Sequence, residues 1–206
     1  MGVGDTDLER EVRSHCAASR WGEAAALLLR GYGRELYGFL VVANRGDDAE
    51  AAEAFSELTE ALWRNLPTFG WHASARTWAY AIARKLTLTR RRDAARRRRR
   101  AVDLAPSELE RIAASVRTET ARFLRTDKRT RLQALRDALS EGDRLLLLLR
   151  VDRGLEWAEV ARVLHEDEHG ELDEAALARE TARLRKRYQI VKERLRELAK
   201  AEGLLD

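Results

Sequence analysis

The chain has 206 residues, of which 45% are hydrophobic and 36% are charged, and its formal net charge is only +4. This length allows one large or two small domains, and the modest net charge means that any basic surface is confined to particular segments. The single cysteine, Cys16, excludes an intrachain disulfide and a thiolate zinc cluster, and the longest leucine run, Leu145 to Leu149, is far shorter than the roughly 20 apolar residues that cross a bilayer. We therefore expect a protein of the reducing cytoplasm.

Ala, Leu, Glu and Arg dominate the composition, and only two prolines occur, so the sequence predicts an all-α fold. Apolar residues recur at helical spacing from Trp21 to about Asn44 and from Asp48 to about Leu66. Asp47 or Asp48 is expected to cap the second of these helices, which is acidic on its polar side. That acidic face has two open interpretations, a solvated surface or a docking face for a basic partner.

Pro67 and Gly70 predict that this helix ends in a loop, which contains the aromatic residues Phe69 and Trp71. Ser74 is expected to cap the next helix. Its predicted inward residues are Trp78, Ile82, Ala83 and Leu86, which places Arg76, Tyr80 and Arg84 on other faces.

A dense run of arginines follows that helix, first at positions 90 to 92 and again at positions 96 to 100. Guanidinium groups at this density repel one another unless an anion lies near them, and a phosphate backbone is the commonest such anion. Neighbouring aromatic rings are suited to stacking on unpaired bases. The alternative is a solvated charge run that closes a helix.

The second half of the chain predicts short helices at 129–139, from Ser140 to before Gly154, and at 157–164, then a long helix that begins at Asp173. A short helix, a turn and a longer basic helix are typical of the helix-turn-helix motif. Arg179, Arg183 and Lys186 lie opposite the apolar seam of the long helix, with Arg187 beside it, and this placement suits contact with duplex DNA. The alternative is that these arginines pair with glutamates of the same helix.

No catalytic constellation is evident, because the four histidines are scattered and the chain has neither a phosphate-binding glycine loop nor metal-ligand spacing. His165 and His169 lie among acidic residues and are expected in a solvated loop. The sequence predicts no enzyme, no metal site and no cofactor.

Two stretches taken together resemble extracytoplasmic-function sigma factors, which are group IV of the sigma-70 type. Trp63, Phe69 and the run from Trp78 to Lys85 resemble their second conserved region. Glu159, Val160, Ala161 and Leu164, preceded by the run from Leu145 to Arg150 and by Gly154, resemble their fourth region. The resemblance implies a bacterial transcription initiation factor with two small helical domains: a region two-like domain at 1–100, a partly helical linker at 101–127 and a helix-turn-helix, region four-like domain at 128–206.

The resemblance also implies roles for individual residues. Those expected to dock on core RNA polymerase are Glu50, Glu53, Ser56, Glu57, Thr59 and Glu60. Those expected to contact the minus-ten element of promoter DNA are Phe69, Trp71, Arg76, Tyr80, Arg84, Lys85, Arg90, Arg91 and Arg92. Those expected to contact the minus-thirty-five element are Arg179, Arg183, Lys186 and Arg187.

Core RNA polymerase and promoter DNA are the partners that this resemblance implies, with an anti-sigma factor or a Ser/Thr kinase as a regulator. A kinase is of interest because phosphorylation of Ser56 or Thr59 would add negative charge to the docking helix, although either hydroxyl is also explained as an ordinary helix side chain. Two alternative functions remain open: a dimeric helix-turn-helix regulator with a coiled-coil seam from Leu177 to Leu198, and a helical adaptor that binds only proteins.

Overall fold

The computed structural model describes residues 3–92, 107–126, 131–165 and 172–204. All regular secondary structure in these segments is helical, so the all-α prediction is confirmed. The chain divides into two compact units, Met1–Leu124 and Arg125–Asp206. The arginines at 96–100, and His169 with most of the predicted turn around it, lie outside the described residues.

The first unit contains five helices in its described residues. They are α1 Val3–Ala17, α2 Trp21–Ala43, α3 Asp48–Asn65, α4 Ala75–Arg92 and α5 Ser107–Thr126, with one 3-10 turn, Leu66–Thr68, after α3. Asp47 caps α3, because its Oδ1 accepts hydrogen bonds from the backbone amides of Ala49 and Glu50 at 3.1 and 3.0 Å. Gly46 directly before it has φ +83°, a left-handed conformation that lets the chain turn sharply between α2 and α3.

The core of this unit lies among α2, α3 and α4. The Tyr37 ring on α2 meets the Phe55 ring of α3 edge to face at 5.4 Å, and Phe39 meets Tyr80 of α4 in the same way at 5.3 Å. Such edge-to-face pairs add to the free energy that burial itself provides. Both contacts begin on α2, which is therefore the central helix of the unit.

The inward face of α4 differs from the prediction. Tyr80 was expected on another face of the helix, but it is fully buried, whereas Trp78 and Ile82 are only half-buried. The reason is a stripe of small residues, Ala75, Ala79 and Ala83, all fully buried at intervals of four. Small residues let helices approach closely, and the tyrosine ring beside them then fills the space against Phe39.

Most of α5 packs within the first unit. Leu109 and Ala113 are buried, and Val116 lies close to Gly33 of α2, where an added Cβ would meet its methyl groups at 3.2 Å. Arg117 Nη1 also donates a hydrogen bond of 2.8 Å to Ser56 Oγ on α3. The boundary between the units follows Leu124, inside the segment expected to be a linker, so the structure assigns most of that helix to the first unit. The functional role of 101–127 as a linker stays a prediction.

The second unit consists of four helices in its described residues: α6 Arg131–Asp137, α7 Glu141–Leu147 with a π-helical continuation at Leu148–Asp152, α8 Trp157–Leu164 and α9 Glu174–Ala201. Ser140 and Asp173 cap α7 and α9, because their side-chain oxygens accept hydrogen bonds from the amides of Asp143 and Ala176. Leu139, Leu147 and Val191 form a core cluster onto which partly buried side chains of α9 pack. The short α8 thus precedes a long, basic α9, as the predicted helix-turn-helix order requires.

Replacement of Tyr80 by alanine should destabilise the first unit by about 3–5 kcal/mol, the usual cost of removing a buried aromatic ring. Tyr80→Phe is the matched control, because it keeps the ring against Phe39. Urea unfolding followed by tryptophan fluorescence measures the difference, since Trp21, Trp63, Trp71 and Trp78 all lie in this unit. Equal unfolding midpoints for Tyr80→Ala and the wild type would contradict the buried position.

Candidate nucleic-acid interface

Three aromatic rings, of Phe69, Trp71 and Trp78, form a cluster between the loop after α3 and the first turn of α4. The Phe69 ring centroid lies 4.6 Å from that of Trp71 and 4.5 Å from that of Trp78, with the second pair nearly parallel at 19°. All three side chains are half-buried, so part of each ring remains at the surface. This aromatic cluster offers the kind of ring surface on which unpaired bases stack.

The local sequence forces the loop to turn toward α4. Pro67 lies within the 3-10 turn that ends α3, where its missing amide hydrogen costs nothing, and the backbone then becomes extended at Phe69. Trp71 has φ +59°, a left-handed backbone conformation that bends the chain before α4 begins. Phe69 consequently lies against both Trp71 and Trp78, and its ring connects the loop to the first turn of α4.

The first amides of α4 are bound by a side chain from α1. The Glu9 carboxylate accepts hydrogen bonds from the backbone amides of Ala75 and Arg76, each at 2.9 Å, and Tyr32 Oη also donates to it at 3.2 Å. A negative charge at a helix N-terminus is stabilising because the free amides and the helix dipole point toward it. Ser74 adds the predicted cap, accepting from the Thr77 amide at 3.0 Å. Glu9 was missed because it lies more than 60 residues before α4 and no local pattern marks it.

Fewer basic residues of α4 are free to contact DNA than the sequence predicts. Arg76 forms a bidentate ion pair with Glu35, at 2.6 and 2.7 Å. Arg84 and Arg90 are both buried, which corrects the expectation that they contact the DNA backbone from the surface. Lys85 is exposed as predicted, and the side chains of Arg91 and Arg92 are outside the described part of the structure.

Arg90 is buried because three glutamates of α3 surround it. Its Nη2 donates to Glu50 at 3.0 Å and to Glu53 at 2.7 Å, and its Nη1 contacts Glu57. Burial of the guanidinium opposes its charge, but the hydrogen bonds to Glu53 and Glu50 and the charge of Glu57 outweigh burial and raise the pKa of Arg90. This ion pair cluster joins the end of α4 to α3.

Four glutamates of α3, namely Glu50, Glu53, Glu57 and Glu60, form what we call the acidic ridge, and all had been predicted to dock on polymerase. The Glu53 side chain is 68% exposed in spite of its bond to Arg90, and Glu57 is 42% exposed. Arg64 lies 3.9 Å from Glu60. Glutamates of the acidic ridge thus bind the buried Arg90, and some of their carboxylates are still exposed to solvent.

The two hydroxyl residues predicted beside the ridge differ in their environment. Ser56 is exposed and accepts a hydrogen bond from Arg117. Thr59 is only 2% exposed and donates to the Phe55 carbonyl at 2.9 Å, because it lies on the buried side of α3. The expectation that Thr59 contacts polymerase or a kinase is therefore wrong for the folded protein, and the phosphorylation hypothesis is reduced to Ser56.

The predicted DNA contacts of α9 fall into two groups. Arg179 and Lys186 are exposed and form no ion pair with another described residue. Arg183 is held by Glu180 through bonds of 2.8 and 2.5 Å, and its hydrogen bond lowers the pKa of Glu180. Arg187 is half-buried, and its Nε donates to Asp143 of α7 at 2.7 Å, so it fastens α9 to the rest of the second unit.

The described segments contain no group of three or more His, Cys, Asp or Glu side chains that could hold a metal ion. None of the helices in those segments is both long and apolar enough to span a bilayer.

Comparison with protein-family models gives a match within the first unit. Residues 28–97 match the family model of sigma-70 region 2. This stretch includes most of α2, all of α3, the aromatic cluster and α4, so the part of the chain that is similar to sigma-70 region 2 lies within the first unit. The match supports a sigma-70 family sigma factor without distinguishing groups within that family. No curated protein and no solved structure matches the chain significantly.

Replacement of Arg90 by alanine should lower the stability of the first unit by about 1–3 kcal/mol, because charged hydrogen bonds are lost and neighbouring carboxylates are left to repel one another. Added salt should recover part of the loss by screening that repulsion. Arg64→Ala is the matched control, since Arg64 is an exposed α3 cation whose pair with Glu60 is expected to contribute at most about 0.5 kcal/mol. Urea unfolding at low and high salt measures both variants, and equal effects of the two substitutions would disagree with the role given to Arg90.

Proposed function

We propose that the chain is an extracytoplasmic-function sigma factor of the bacterial cytoplasm, which binds core RNA polymerase and directs it to promoters. The observation that supports this most directly is the sigma-70 region 2 match over the segment that contains both the acidic ridge and the aromatic cluster. One surface suited to a basic protein partner and another suited to unpaired bases thus lie within a single helical unit. The chain supplies binding energy for initiation and no chemistry of its own.

In this proposal the aromatic cluster binds the opened minus-ten element. Phe69 and Trp71 are half-buried and keep part of each ring at the surface, and Lys85 provides an exposed cation on α4. Stacking of a base on an aromatic side chain contributes about 1–3 kcal/mol and does not depend on paired DNA. Tyr80, Arg84 and Arg90 take no part in this contact, because their side chains are buried.

The acidic ridge is the proposed docking surface for polymerase. Its carboxylates outnumber the buried guanidinium of Arg90 and therefore keep a local negative charge at the surface. A basic face of polymerase would be attracted to that charge, and the attraction would weaken as salt increases. The proposed regulator is an anti-sigma factor or a Ser/Thr kinase that acts at Ser56.

The second unit is proposed to contact the minus-thirty-five element through α9. Arg179 and Lys186 are the exposed cations best placed for phosphate or base contacts, while Arg187 supports the position of the helix. The alternative of a coiled-coil dimer is disfavoured by the structure. Tyr188, Val191 and Leu195, which the alternative assigned to a dimer seam, pack onto the core of their own unit.

Run-off transcription with purified core polymerase on a promoter library tests this function. The protein should be required for initiation at a defined set of promoters, and Glu53→Lys should weaken core binding about tenfold by reversing a charge on the acidic ridge. Glu11→Lys, an equal charge change at an exposed position of α1, is the control and should bind core normally. If the wild type does not bind core polymerase, the proposed function is refuted. If Glu53→Lys binds core as tightly as the wild type does, the acidic ridge is not the docking surface.

Glu180 competes with DNA for Arg183 if α9 lies against a promoter. Glu180→Gln should therefore tighten holoenzyme binding to a duplex minus-thirty-five element several-fold, because it removes the bidentate partner and one negative charge. Glu193→Gln is matched in chemistry, since Glu193 pairs with Arg196 farther along the same helix at 2.8 Å. Electrophoretic mobility shifts at fixed salt measure the effect, and identical shifts for both variants would exclude Arg183 from the contact.

A further inference from the structure

An arginine of α1 lies against the aromatic cluster, although nothing in the sequence pattern had pointed to it. The guanidinium carbon of Arg13 is 5.2 Å from the centroid of the Trp71 ring, within cation–π distance. The Arg13 side chain is exposed. Helix α1 ends at Ala17, before the segment that matches sigma-70 region 2 begins at residue 28.

The position of Arg13 is fixed by the packing of its helix. Val12 is fully buried and Cys16 is buried, so α1 is anchored on the core of the first unit. Glu9 precedes Arg13 by four residues and so lies on the same face of α1, one turn away. Because Glu9 is bonded to the first amides of α4, this face of α1 is held beside the loop that contains Trp71.

The arginines described on α4 are engaged or buried, and Lys85 is the exposed cation on that helix. Arg76 is bound to Glu35, and Arg84 and Arg90 are buried. Arg13, in contrast, is exposed and forms no ion pair with any residue that the structure describes. A strand whose bases stack on Phe69 and Trp71 would bring its phosphates close to this guanidinium.

We infer that Arg13 is a nucleic-acid contact and that α1 forms part of the single-stranded DNA site, with the guanidinium bound to a phosphate of the strand that stacks on the aromatic cluster. This inference rests on the proposed function. A guanidinium group can lie on an indole ring and still direct N–H groups from its edge to a phosphate oxygen, which an ammonium group does less well. Arg13 then serves twice, by supporting the Trp71 ring and by neutralising the backbone of the bound strand.

Binding of holoenzyme to a forked promoter fragment with a single-stranded minus-ten region, measured at several salt concentrations, tests the inference. Arg13→Ala should weaken binding about 5–10-fold and should reduce the slope of log K against log salt by about 0.7, the value for one phosphate contact to a single strand. Arg13→Lys should keep the slope and recover part of the affinity. Arg10→Ala is the control, because Arg10 is an exposed α1 arginine paired with Asp7 at 2.9 Å, and it should bind as the wild type does.

Three results would overturn the inference. Wild-type affinity and slope in Arg13→Ala would remove Arg13 from the contact. A lower affinity with an unchanged salt slope and a lower melting temperature would show that Arg13 only supports the Trp71 ring. An equal loss on a fully duplex minus-thirty-five fragment would place its effect away from the aromatic cluster. Failure of the wild type to form holoenzyme would instead overturn the proposed function together with this inference.

Discussion

The burial of Arg90 against the carboxylates of α3 is the constraint on which the first unit depends. A guanidinium group leaves water at a cost of several kcal/mol unless good hydrogen bonds replace the lost hydration. Glu50, Glu53 and Glu57 provide them, since their spacing of three and four residues places them on one side of α3. The end of α4 is consequently fixed against α3, while the alanine stripe earlier in α4 allows the helices to approach closely.

The start of α4 is fixed by a second charge, the carboxylate of Glu9. Helix α4 therefore has an anionic partner from α1 at its first turn and anionic partners from α3 near its end. Between these two points it presents Trp78 toward the loop and Tyr80 toward the core. The aromatic cluster depends on this arrangement, because Phe69 stacks on Trp78 in the first turn of α4, which Glu9 binds, and Trp71 packs on Phe69.

Local signals in the sequence predicted most of the helices and several of their ends. Proline, glycine and the capping residues Asp47, Ser140 and Asp173 act within a few residues of the backbone that they influence, so a single chain reveals them. Helical spacing also separates the faces of α4, but it does not show which face packs against α2 and α3. The inward face of α4 is set by the small size of three alanines, which is why the sequence did not predict that Tyr80 is buried. The burial of Arg90 depends on glutamates more than 30 residues away, which no local pattern reveals.

The acidic ridge is bordered on two sides by arginines, and this limits which carboxylates remain for a partner. Arg90 of α4 lies along one side, and Arg117 of α5 reaches Ser56 on the other. Glu53 is the most exposed of the three glutamates that bind Arg90, so more of its carboxylate than of its neighbours' is available to a basic surface. A partner that binds Glu53 must share it with Arg90. The docking surface proposed for α3 is thereby connected to the end of α4, the helix proposed to contact DNA.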